Sequence, residues 1–389
     1  MTDTVNTSTS TSTAFDTMDH LAGVAAGGPV AQLRAARPEV VRASEASDRA
    51  LLVPDDLGGV SVIERAMIAY RVGLRTPSAA LAQWYGEKLR ALGVSDAILV
   101  ALARFPDANS EDHALTPRLR TILSHADRIT DAPGAATAAD IAALKAAGLT
   151  PREIVTVSQL IAYLSYAARM TVGLRLLAPD NAATDTGALP QTHGPRTVAP
   201  PPGHFTIDVL TWHPWLETVD DTGATPEQEA LVSKVAPSPE SRPYYALLAH
   251  DPLALVERTA LFNAIMYGAG GAKRADRELA AAAGSRVNGC VYCTSVHARR
   301  YAQLTKDTET ITRLLDEGVN TTLPPRERAI VDYAVALTAT PETLTPTTLA
   351  PLRAEGFTDA EILDITGSVA MFAWANRLMQ TIGEGGPTV

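Results

Sequence analysis

The feature that most narrows the possible folds is that the chain is written twice. Leu115-Thr-Pro-Arg, an apolar run to Ile129, Ala147-Gly-Leu-Thr-Pro-Arg-Glu-Ile154 and a long apolar stretch ending Ala168-Arg169 come back further on. The second copy reads Leu323-Pro-Pro-Arg, a run to Leu337, Glu355-Gly-Phe-Thr-Asp-Ala-Glu-Ile362 and Asn376-Arg377. Every anchor is displaced by the same 208 positions, a constancy that chance does not supply. Between the copies lies a Pro-, Gly- and Thr-rich stretch without helical or strand period, which includes Pro200-Pro-Pro202. The expected organisation is therefore a first unit at 15–180, a linker at 181–203 and a second unit at 204–389.

Apolar spacing inside each unit is helical. Ile362, Ile365, Val369, Phe372 and Leu378 keep to a helical face, and Thr358 three positions before Glu361 forms a capping-box signature. Leu323-Pro-Pro-Arg opens another helix, with proline tolerated in the first turn. Strand alternation is nearly absent. The fold class is all-α, two tandem helical bundles of about six helices each. The most apolar stretch, Ile154 to Ala168, carries Ser158, Gln159 and Ser165 and runs into Arg169, so it reads as a buried helix rather than a membrane span.

Charge and cysteine content remove several classes of function. The formal charge is −10, with Lys+Arg 33 against Asp+Glu 43 and no basic run, so neither nucleic acid nor a membrane surface is an expected partner. The Thr/Ser tract within residues 1–14 has too little apolar content to repay ordering and reads as a disordered tail, not a signal peptide. Cys290 and Cys293 are the only cysteines, which excludes a disulfide framework and suits a reducing cytoplasm.

The chemistry gathers around those two thiols. Asn288-Gly289 breaks one helix, and Cys290 sits where the next begins. On that helix Cys290, Cys293 and His297 share a face at i, i+3 and i+7. The unpaired N–H groups of its first turn favour a thiolate, and His297 is placed one turn on to exchange a proton with Cys293. Glu278 is the carboxylate to add. Along one continuous helix it would stand about 22 Å from Cys293, so its part depends on the chain reversing between Gly284 and Gly289.

These residues resemble the alkyl hydroperoxidase AhpD and carboxymuconolactone decarboxylase-like superfamily, and most closely its two-domain, peroxidase-related fusions. The pattern is a glutamate, Cys-x-x-Cys twelve residues later, and a histidine four beyond the second cysteine; Glu278, Cys290, Cys293 and His297 match every interval. The resemblance implies a thiol-dependent peroxidase without a cofactor or metal. Glu278, through water, polarises His297, which deprotonates Cys293. Cys293 attacks a hydroperoxide, Cys290 resolves the sulfenic acid, and an external dithiol reductant restores both thiols. It also implies a homo-oligomer, a trimer of two-unit chains. One departure is Tyr292, where AhpD proper has a second histidine. That change motivates an alternative, a dithiol oxidoreductase acting on small disulfides or organosulfur compounds. The decarboxylase branch is disfavoured because its characteristic members lack the cysteine pair.

Other readings stand beside these. Two cysteines can be ordinary buried apolar side chains, and the thiols with His297 and Glu278 could in principle hold zinc, although structural zinc usually takes a second Cys/His pair that this chain lacks. A non-catalytic assembly or metal-binding module is motivated by the first unit. Aligning Glu64 on Glu278 places Thr76, Ala79 and Gln83 at the thiol and histidine positions, leaving no reaction to perform. His20, His113, His125, His193, His204, His213 and His250 read as surface or capping residues. Trp212, Trp215, Tyr244 and Tyr245 read as packing residues, with a substrate-pocket wall as the alternative. The arginine shared by Ala168-Arg169 and Asn376-Arg377 suggests a structural salt bridge.

Overall fold

The computed structural model describes residues 15–76, 78–106, 115–178 and 205–387. The expected tail at 1–14 and linker at 181–203 lie outside them, as do His113, His193 and His204. The described residues form nineteen α-helices and one two-stranded sheet, an all-α architecture. Each unit has seven helices of eight or more residues, one more than the spacing suggested, plus shorter turns. None of the described helices is long and apolar enough to cross a membrane.

The helices used below are, in the first unit, α1 (Pro38–Leu52), α2 (Val62–Arg75), α3 (Ala79–Ala91), α4 (Pro117–Asp131) and α5 (Pro151–Leu177). Their counterparts in the second are α6 (Pro252–Tyr267), α7 (Arg274–Asn288), α8 (Val291–Thr305), α9 (Pro325–Ala339) and α10 (Asp359–Thr381). Capping boxes at Thr150/Glu153 and Thr358/Glu361 start α5 and α10 as their sequences require. α5 is buried without interruption from Glu153 to Thr171, and α10 from Ile365 to Met379. A helix apolar on every side needs neighbours on every side. These two find them in each other.

Like packs on like across the repeat. α5 lies against α10 and α1 against α6, the arrangement of an isologous dimer fused into one chain. One continuous hydrophobic core runs through both units, and a smaller cluster lies inside the first. At the shared seam, Trp374 Nε1 donates to Gln159 Oε1 (3.1 Å), and the Trp374 ring meets Tyr163 edge-on at 5.2 Å. The arginine that recurs at the end of the repeat is reciprocal. Arg169 Nη2 on α5 donates to the Thr338 carbonyl near the end of α9 (2.6 Å), and Arg377 Nη2 on α10 donates to the Thr130 carbonyl near the end of α4 (3.3 Å). These contacts cap carbonyls at a helix C-terminus of the opposite unit.

The structure also corrects the register between the units. Arg65 on α2 donates to the carbonyls of Leu51, Leu57 and Val60, and Arg277 on α7 serves the equivalent helix end at Ile265, Gly268 and Gly270. Glu64 pairs with Arg118 as Asp276 pairs with Arg326. The displacement here is 212 and not 208, because the stretch from Arg65 to Arg118 is four residues longer than that from Arg277 to Arg326. Glu64 therefore matches Asp276, and the positions opposite Glu278, Cys290, Cys293 and His297 are Ala66, Ser78, Leu81 and Tyr85. The first unit still lacks both thiol and base.

Two further expectations change. His125 is buried, not superficial: its Nε2 meets Ser158 Oγ at 3.0 Å, and burial pulls its pKa down to about 4, so the ring is neutral. Tyr333 and Thr366 (2.6 Å) occupy the equivalent places in the second unit. The sheet was not anticipated. β1 (Leu210–Pro214) pairs antiparallel with β2 (Gly383–Pro387), with Trp212 opposite Gly385. Glycines in β2 let the strand lie close over Trp212 and Tyr292, where a Cβ on Gly383 or Gly385 would collide with them.

A test of the seam follows from Gly173 on α5. A Cβ there would overlap the Thr366 side chain of α10, which is held by hydrogen bonds to the Ile362 carbonyl and Tyr333. Gly173→Ala would gain ~1 kcal/mol in an isolated helix, yet overpacking should cost about 1–3 kcal/mol and lower the unfolding midpoint in calorimetry. An unchanged or raised midpoint would contradict so close an approach.

Candidate active site

The site is built on a helical hairpin. α7 ends in a Schellman motif: the Gly289 N–H donates to the Arg286 carbonyl (3.3 Å) and the Cys290 N–H to the Ser285 carbonyl (3.0 Å). This geometry places Gly289 at φ 74°, a left-handed conformation glycine accepts without steric cost. Cys290 is at once the last residue of this motif and the N-cap of α8. Cys293 is the third residue of that new helix, and His297 lies one turn deeper. The reversal that Glu278 requires is present, and α7 packs along α8.

Glu278 and His297 meet directly. His297 Nδ1 lies 2.5 Å from Glu278 Oε2, while Arg274 Nε lies 2.5 Å from the other carboxylate oxygen. No intervening water is needed at that distance, in contrast to the relay the resemblance implies. Glu278 is 1% exposed. Burial alone would raise its pKa, but His297 and Arg274 outweigh burial and hold the carboxyl below its usual range. The His297 ring packs edge-on against Phe372 of α10 at 4.1 Å, and the Arg274 guanidinium covers Tyr267 at 4.1 Å. With Nδ1 committed to the carboxylate, Nε2 is the nitrogen left to carry a proton to or from a reacting group.

The two thiols sit in different surroundings. Both are free and buried. Cys293, with His297, Glu278, Tyr292 and Met379, lines a cavity of about 690 Å³, and its Sγ is 3.4 Å from Met379 Sδ. Cys290 is not among the lining residues. Burial pushes the Cys290 thiol well above its ordinary range, and its hydrogen bond with Cys293 adds to the rise. Asn376 of α10, which bridges Ser285 and Asn288 on the hairpin, also contacts that thiol. Among the described residues no hydrogen bond joins Cys293 to His297. Both face the same cavity, so a proton passing between them crosses that space.

The cavity draws its described lining entirely from the second unit. Tyr244 and Tyr245 belong to it, so the pocket-wall alternative holds for them. Trp212 is a packing residue whose Nε1 donates to the Met379 carbonyl (2.9 Å). Sequence reasoning missed Phe372 and Met379, which come from α10 across more than seventy positions of chain, and Arg258 of α6. Arg274 was visible as an i, i+4 partner of Glu278. Among the described residues no group of three or more His, Cys, Asp or Glu side chains is placed to hold a metal ion.

One helical hairpin thus brings Cys293, His297 and Glu278 to a shared cavity and holds Cys290 beside Cys293, outside the lining. The model of the carboxymuconolactone decarboxylase family matches residues 255–319, a stretch that contains all four of these residues. The match does not extend to the first unit. No curated protein matches the chain.

The contrast between the thiols predicts unequal labelling. Brief treatment with substoichiometric iodoacetamide, followed by peptide mass spectrometry, should modify Cys293 at least ~10-fold more than Cys290. Equal labelling would contradict the buried, anion-disfavouring setting of Cys290.

Proposed function

We propose that the chain is a thiol-dependent peroxidase of the AhpD type, with residues 204–389 as its catalytic half and residues 15–180 as a degenerate structural half. The observation that carries the reading is the direct contact of Glu278 with His297 beside a cavity that Cys293 enters and Cys290 does not. The family holds both AhpD-like oxidoreductases and decarboxylases, and the Cys-x-x-Cys pair favours the former. His297, oriented by Glu278, takes the Cys293 proton. The thiolate sulfur attacks the terminal oxygen of a hydroperoxide, R–O–O–H. The O–O bond breaks, Cys293 becomes a sulfenic acid, and the departing alkoxide takes a proton from His297 and leaves as the alcohol. The Cys290 sulfur then attacks the sulfenic sulfur, expelling water and forming the Cys290–Cys293 disulfide. An external dithiol supplies the two electrons and two protons that regenerate the thiols.

Within this reading the protein works in a reducing compartment such as the cytoplasm, where its thiols stay available. Three two-unit chains would give a ring of pseudo-sixfold symmetry, in which the first unit serves assembly.

One equivalent of cumene hydroperoxide should convert the reduced protein to a form lighter by the two hydrogens of a disulfide, read by intact-mass spectrometry. Cys293→Ser should abolish the conversion, and Cys290→Ser should accumulate a dimedone-reactive sulfenic acid. Thiols that remain reduced over minutes would overturn the peroxidase reading, and oxidation by a low-molecular-weight disulfide under the same conditions would replace it with disulfide chemistry.

A further inference from the structure

Among the described residues, Arg258 of α6 is a buried cation without a counter-ion. It is 4% exposed, lines the cavity that holds Cys293, and makes no hydrogen bond or ion pair with any described residue. Its guanidinium instead lies over two rings, Tyr244 at 5.4 Å and Trp374 at 5.9 Å. The Tyr244 hydroxyl, in the same wall, is also buried without a hydrogen-bond partner among the described residues. Burying an unpaired guanidinium costs free energy that rings alone do not recover, and orphaned buried donors call for a partner.

The fold does not demand this cation. α1 and α6 are counterparts, with Leu51 matching Ile265, and in that register the residue opposite Arg258 is Ser44. Ser44 Oγ bonds Tyr166 Oη at 3.3 Å, and Tyr166 is the repeat equivalent of Trp374. The silent unit thus closes the same place with a neutral, internally satisfied pair. The second unit opens it to a cavity and sets an arginine there. The rest of the lining leans the same way: Lys234, Arg274, Arg299 and Arg300 join Arg258, against only Glu240 and Glu278, in a chain whose net charge is −10. The remaining walls are mainly apolar, aliphatic at Leu231, Val256 and Val296 and aromatic at Tyr245, Phe262 and Phe372.

We infer that Arg258, with the Tyr244 hydroxyl, binds a carboxylate, and that the substrates of this site are organic hydroperoxides carrying a carboxylate at one end of an apolar body. The carboxylate accepts the charge-assisted hydrogen bonds that the guanidinium lacks, and the body lies among the apolar walls with its hydroperoxide toward Cys293. This deepens the peroxidase reading and depends on it for the reacting group alone. Recognition of the carboxylate can be measured without turnover.

The test is calorimetric titration of the reduced full-length protein with decanoate and with decan-1-ol, for the wild type, Arg258→Met and Arg258→Lys. Decanoate should bind the wild type at least ten-fold more tightly than decanol, lose at least ten-fold in Arg258→Met, and recover part of that loss in Arg258→Lys. The unfolding midpoint of Arg258→Met should equal or exceed that of the wild type, because the variant removes an uncompensated buried charge. Equal binding of acid and alcohol, or decanoate affinity unchanged in Arg258→Met, would overturn the inference. So would a lowered midpoint with unchanged affinity, which would mark Arg258 as structural. A shifted pH profile of thiol alkylation with unchanged affinity would assign the cation to Cys293 and overturn it too. Intact decanoate recognition beside thiols inert to peroxide would instead fault the peroxidase reading.

Discussion

Everything in this molecule leans on the contact between α5 and α10. Each is buried over most of its length, and neither could stand in water alone. Because like packs on like, the contact settles the pairing of the two units, and the reciprocal arginines make each half finish a helix terminus in the other. The same α10 turns its other side to the hairpin. There it supplies Phe372 against His297, Met379 against Cys293 and Asn376 against Ser285 and Asn288. The seam and the proposed site therefore share one helix, and the first unit packs against that helix although it lines none of the cavity.

The asymmetry between the halves is as informative as the symmetry. At Tyr333/Thr366 and His125/Ser158 both units keep a buried polar pair, with different side chains doing the same structural task. At the hairpin they diverge. Glu278, Cys290, Cys293 and His297 face Ala66, Ser78, Leu81 and Tyr85, and the ionisable set is replaced by groups that need no ionised partner. Duplication leaves one copy free to become scaffold, and a scaffold gains by shedding buried charge.

Much of this was legible before the structure. Constant displacement of Thr-Pro-Arg-Glu and Gly-Phe-Thr-Asp-Ala-Glu marks both capping boxes, and Asn288-Gly289 marks the reversal on which Glu278 depends. What sequence could not supply was contact across distance. Tyr244, Phe372, Met379 and Arg258 enter the cavity from segments with no shared spacing, and a lone arginine in an apolar helix does not announce that it is unpaired. The β1–β2 pair escaped for a related reason: glycines in Gly383-Glu-Gly-Gly carry no strand pattern, and their role is to let backbone approach Trp212 and Tyr292. Matching Glu64 to Glu278 pairs like residues at a displacement of 214, which holds between α1 and α6 but not past the longer loop before α2.

The central claim is that the buried Glu278–His297 pair drives the reaction of Cys293. Single-turnover oxidation of the reduced protein by cumene hydroperoxide, followed by stopped-flow tryptophan fluorescence, tests it in the Glu278→Gln variant. Glutamine keeps the shape and a hydrogen bond but not the charge. The account predicts a second-order rate lower by about 10²-fold or more, the usual range for losing general acid–base assistance. A variant that reacts as fast as the wild type would show that the pair only packs the hairpin, and would contradict the account.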